Sequence, residues 1–140
     1  MSLGEPLLLA DGAPPQALAV ALEEAWSGGR AVGLAHPADR QALAVAIGSG
    51  VALAPWSASV VLGSGGSSGG RRWCVQPLAH LQASADATAT WLQAQGLDPA
   101  ACLHLDPLPL HHVSGLLPLV RCRRWGAELR CLPPVSYTHL

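Results

Sequence analysis

The sequence predicts an α/β protein in which helices alternate with short apolar strands of a mostly parallel sheet flanked by helices. Three observations carry this. Apolar residues recur at helical spacing in four segments, as with Leu18, Ala21, Leu22 and Ala25. Short branched or apolar runs recur, among them Val60-Val61-Leu62, which is followed at once by glycine. The two patterns take turns along the chain, which favours strand–helix–strand units over separate helical and sheet layers.

Residues 14–26 predict the first helix, with Glu23 and Glu24 off its apolar stripe and Gly28-Gly29 ending it. Residues 30–35 form an apolar run suited to a buried strand. Helical spacing returns over 37–47 through Leu43, Ala44 and Ile47 and stops at Gly48. A second strand is expected over 59–63, with 72–76 as its hairpin partner. Residues 78–95 carry the longest helical pattern, closed by Gly96. A strand over 102–105, a helix over 113–125 and a strand over 128–132 complete the chain. No internal repeat is present.

The chain has 140 residues, the length of about one domain. Only 12% of residues are charged, against roughly 25% in ordinary domains. Every basic residue is Arg, and the formal charge is −1, so no field gathers nucleic acid or an anionic membrane. High apolar content and low charge exclude a disordered chain. A shortage of surface charge fits a piece whose faces meet the rest of a larger protein.

Glu5 and the lack of a basic run before the apolar 6–10 argue against a secretory signal. The longest mostly apolar stretch, 51–63, is interrupted by Pro55, Ser57 and Ser59 and falls short of the ~20 residues of a membrane span. Cys74, Cys102, Cys122 and Cys131 have no CxxC spacing, so they are read as reduced thiols and the protein as soluble and cytoplasmic.

Three segments hold chemistry. The first is Gly63-Ser64-Gly65-Gly66-Ser67-Ser68-Gly69-Gly70-Arg71-Arg72. Its glycines let consecutive N–H groups converge on anionic oxygens, and its hydroxyls and arginines add donors. It is not a Walker loop, because the chain has no Lys. A flexible Gly/Ser linker is the plain alternative. The strand-like Val60-Val61-Leu62 and Trp73-Cys74-Val75 on its two sides favour a phosphate loop.

The second segment is Leu108-Pro109-Leu110-His111-His112-Val113-Ser114-Gly115-Leu116. Adjacent histidines at the mouth of a helix suit a pocket wall, where Ser114 could donate to a carboxylate. The alternative is an N-capping turn in which Ser114 satisfies backbone donors and the histidines are merely exposed. The third, Arg121-Cys122-Arg123-Arg124, is explained by a solvated helix C-terminus. A zinc site from Cys102, His104, His111, His112 and Cys122 lacks the usual ligand spacing, so no metal ligand is assigned.

Together, the loop and the Leu-Pro-Leu-x-His-x-x-Gly turn resemble the AMP-forming acyl-CoA synthetase superfamily. The family's loop has two small residues, Gly, two hydroxyl residues, Gly, two variable positions and Lys or Arg. Here these are Ser64-Gly65, Gly66, Ser67-Ser68, Gly69, Gly70-Arg71 and Arg72. Arg71 departs from the usual Pro, and Arg72 replaces the commoner Lys. Within the superfamily, Gln76, His112-Val113-Ser114-Gly115 and Trp125-Gly126 are similar to the 2-succinylbenzoate–CoA ligases of menaquinone and phylloquinone biosynthesis. The resemblance covers roughly residues 30–134.

It implies a two-step ligase, in which ATP and an acid form an acyl-adenylate and coenzyme A then displaces AMP. By resemblance Ser64, Gly65, Gly66, Ser67, Ser68, Gly69, Gly70 and Arg72 bind the ATP phosphates, and His112, Ser114 and Gly115 line the acyl site. Residues 1–134 would be part of the large N-terminal AMP-binding (adenylation) domain. The family's adenine and ribose motifs, magnesium-binding Glu and catalytic Lys lie further along its chains. No catalytic residue is therefore assigned here. Mg2+ ligands are expected outside this fragment, its partner is the missing C-terminal part, and the chain alone is expected to be inactive. Residues 135–140, Val135-Ser136-Tyr137-Thr138-His139-Leu140, resemble a translated sequencing adapter and are read as a non-native tail. Two alternatives stay open: another adenylate-forming acyl- or aryl-acid ligase, and a small non-catalytic phosphate- or nucleotide-binding module.

Overall fold

The computed structural model describes residues 6–9, 13–48, 58–64 and 72–132. It is a mixed α/β structure that divides into two compact units, Met1–His80 and Leu81–Leu140. The first holds β1 (Leu7–Leu9), α1 (Pro15–Ser27), β2 (Ala31–Leu34), a 3-10 turn (Pro37–Asp39) leading into α2 (Arg40–Gly48), β3 (Ser59–Gly63) and β4 (Trp73–Pro77). Helix α3 (Leu78–Ala94) starts at its end. The second continues with a 3-10 turn (Pro99–Ala101), β5 (Leu103–Asp106), α4 (Val113–Trp125) and β6 (Glu128–Cys131).

In the first unit the strand order is β1-β2-β3-β4. The first three strands are parallel, with Val32 opposite both Leu7 and Val60. β4 turns back antiparallel to β3, as its hairpin partner, with Val61 opposite Val75. All of β2 and β3 up to Leu62 is buried, the continuous apolar reading that a covered parallel strand requires. Ala35, Leu43 and Val61 centre one cluster, joined by Leu8, Ile47, Trp73 and Val75. Gly33 permits this approach, because a Cβ there would lie 2.8 Å from Ile47 Cδ1 and 3.0 Å from Leu43 Cδ2. Helix α1 buries Leu22, Ala25 and Trp26, and the Trp26 indole donates to the Ser59 carbonyl at 2.9 Å.

The expected helix over 37–47 begins as a 3-10 turn, for a local reason. Pro37 fixes the first φ, and His36 Nδ1 accepts from the Ala38 N–H at 3.0 Å, which closes a tighter first turn. β1 was not expected. Three residues are too few for a periodic pattern, and only the pairing with β2 defines the strand.

The second unit has its own sheet. β5 and β6 pair parallel, from Leu103 opposite Glu128 to Asp106 opposite Cys131, with α4 as the crossover. The single sheet expected from the alternation is thus two sheets among the described residues. The antiparallel β4 turns the first sheet's chain direction back, and β5 differs from β2 and β3 in alternating along its length. Leu103 and Leu105 are exposed, whereas Asp106 is buried. Helix α4 buries Gly115, Leu116, Leu119, Val120 and Cys122, and ends at Gly126, whose φ of 69° is the left-handed cap that glycine adopts without strain.

Helix α4 is also tied to α3. Arg124 donates to both carboxylate oxygens of Asp86, at 2.9 and 3.0 Å, and Trp125 Nε1 donates to the Ala85 carbonyl at 3.1 Å. The basic end of α4 is therefore more than the solvated terminus expected, because Arg124 reaches a carboxylate on another helix. That guanidinium holds the Asp86 carboxyl below the usual carboxylate range. The pair's contribution is present above the unfolded Asp value and is lost as pH falls through the folded one. His104 stands beside the Trp125 ring, with centroids 5.4 Å apart, and its Nε2 donates to the Pro99 carbonyl at 3.0 Å.

Candidate functional site

The two segments singled out in the sequence lie in different units. The Gly/Ser segment opens where β3 ends and closes where β4 begins. Leu62 faces Cys74 and Gly63 faces Trp73 in the antiparallel ladder. One step further, the Ser64 N–H donates to the Arg72 carbonyl at 2.7 Å. The segment is thus the loop of a hairpin whose base is hydrogen-bonded. Trp73 and Val75 of β4 pack on the core cluster that includes Leu43 and Ile47 of α2, so the base is anchored in packed structure. Ser64 is half-buried and the Arg72 side chain is exposed beside the loop. Gly65, Gly66, Ser67, Ser68, Gly69 and Gly70 lie outside the described residues.

The second segment is a compact turn between β5 and α4. Asp106 Oδ1 accepts from the Leu108 N–H at 3.2 Å, and the His112 N–H donates to the Pro109 carbonyl at 3.1 Å. Leu110 is buried beneath the turn. His112 is the N-cap residue of α4, with extended backbone, and its side chain makes no capping hydrogen bond. Its carbonyl instead accepts the first helical bonds, from Gly115 at 3.0 Å and Leu116 at 2.9 Å. Ser114 is therefore not the cap considered from the sequence; it sits one residue inside the helix and is exposed. The His111 and His112 rings lie 4.5 Å apart at 43°, the first half-buried and the second exposed. The first turn of α4 carries no acid of its own.

Gly115 has a packing role. It is buried, and a Cβ there would run into the Pro109 carbonyl oxygen and lie 2.7 Å from that of Leu108. The missing side chain is what lets the Leu108-Pro109 backbone lie against α4.

Asp106, which the sequence reading passed over, is the polar group this turn is built on. The residue is 1% exposed, and its Oδ2 is buried with no hydrogen-bond partner among the described atoms. A carboxylate at the end of a strand and just ahead of Pro107-Leu108-Pro109 is the signal that could have marked it. Burial pushes its pKa up, opposed by the bond from the Leu108 N–H. Burial likewise raises the nearby Cys122 to about 11, with the Asp106 charge adding to it, and raises Cys131 for the same reasons. Both stay protonated at neutral pH and are poor nucleophiles. All four cysteines are unpaired thiols.

A pH dependence follows. A carboxyl whose folded pKa is raised contributes its stability below the ordinary value of 3.8, and that contribution is lost as pH rises through the folded value. Asp106→Asn keeps an oxygen for the Leu108 N–H and removes the charge. Its stability relative to wild type is expected to increase from acid to neutral pH, as read by denaturant midpoints along a pH series. A difference that does not change with pH would contradict the assignment.

Among the described residues no helix is long and apolar enough to cross a membrane, and no cluster of His, Cys, Asp and Glu could hold a metal ion. No protein-family model and no curated protein matches this chain, so its functional reading rests on the loop, the turn and their geometry.

Proposed function

We propose that this chain is part of the adenylation domain of a cytoplasmic AMP-forming acid–CoA ligase, with 2-succinylbenzoate as the acid. The β3–β4 loop takes the ATP phosphates and the β5–α4 turn takes the acid. One observation supports this above the others: the Gly/Ser segment returns to its own base, with Ser64 bonded to Arg72 at 2.7 Å. A flexible linker has no need to bring its two ends to one hydrogen bond between paired strands. Any hairpin closes on such a pair; it suits a phosphate loop because it holds the two ends of the segment on paired strands.

In this reading the loop N–H groups and the Ser67 and Ser68 hydroxyls donate to phosphate oxygens, and Arg72 supplies the counter-charge. His112 and Ser114 stand at the acid-free N-terminus of α4, where a substrate carboxylate gains from the helix dipole. Gly115 holds the turn in place and need not touch the acid. The adenine, magnesium and catalytic-lysine elements belong to the remainder of such a ligase, as does the work of coenzyme A. No nucleic-acid partner is part of the proposal.

Calorimetric titration of the chain with ATP and with inorganic pyrophosphate tests it. Both are expected to bind with similar affinity, since only phosphates are recognised here, and Arg72→Ala should weaken both by about tenfold. Strong preference for ATP would favour a self-contained nucleotide-binding module. Failure of a folded chain to bind either would overturn the phosphate assignment. With ATP, coenzyme A and the acid, the chain alone is expected to form no thioester.

A further inference from the structure

We draw no further inference here: the strongest candidate, the face of the β5–β6 sheet where Leu103 and Leu105 are exposed opposite the Glu128–Arg130 ion pair, is only partly apolar, and nothing in the structure shows what covers it.

Discussion

Gly115→Ala is expected to destabilise the Leu81–Leu140 unit by roughly 3 kcal/mol, the upper part of the range for forcing extra volume into packed structure. The added methyl would meet backbone, the Pro109 and Leu108 carbonyls, and not the movable end of a side chain. Relief requires the 107–112 turn to lift from α4. Lifting it strains the bond from the Leu108 N–H to Asp106 and shifts His112, whose carbonyl receives the first helical hydrogen bonds. Denaturant unfolding followed by circular dichroism measures the loss. Because the Gly115 backbone angles are helical, alanine propensity would by itself favour the variant by about 1 kcal/mol. A neutral or stabilised Gly115→Ala would therefore show that the turn does not rest on the helix as described.

Trp26→Ala should cost the first unit about 4 kcal/mol. The side chain is 5% exposed, and its indole N–H reaches the Ser59 carbonyl, 33 residues away, at the start of β3. Truncation therefore removes packing from α1 and a hydrogen bond from the strand that leads into the loop. Trp26→Phe keeps most of the volume and removes the donor, so its cost should fall to about 1 kcal/mol. The pair separates the two contributions. Equal losses for both variants would place the whole effect in the hydrogen bond and contradict the packing described for α1. Amide exchange along β3 should speed up in both, more so in Trp26→Ala, and the loop base from Gly63 to Trp73 should loosen with it.

The local elements were largely legible because their signals are local. Gly28-Gly29 and Gly96 mark helix ends, and the strand expected over 59–63 and its 72–76 hairpin partner lie at β3 and β4. Features that depend on distant partners were not legible. Leu7–Leu9 becomes a strand only through pairing with β2 across α1. Whether β5 extends the first sheet or pairs with β6 depends on register between segments that share no sequence signal. Arg124 reads as a helix-end cation until folding brings Asp86, 38 positions earlier, within bonding distance. For the candidate site, the Gly/Ser composition pointed to a loop, but only the Ser64–Arg72 bond distinguishes an anchored loop from a linker. Gly115 lines the acid site by resemblance, and the carbonyls packed against it, which give the glycine a structural reason as well, come together only on folding. Burial of a single carboxylate such as Asp106 is decided by tertiary packing, which no local pattern reports.

Phosphate binding by the segment between β3 and β4 can be read residue by residue from amide chemical shifts during a pyrophosphate titration. Shifts are expected to concentrate at Gly63, Ser64 and Arg72 and over the loop between them, with β2 unmoved and the response much reduced in Arg72→Ala. A chain whose β3 and β4 amides remain protected, yet whose loop amides do not respond to pyrophosphate, would contradict it.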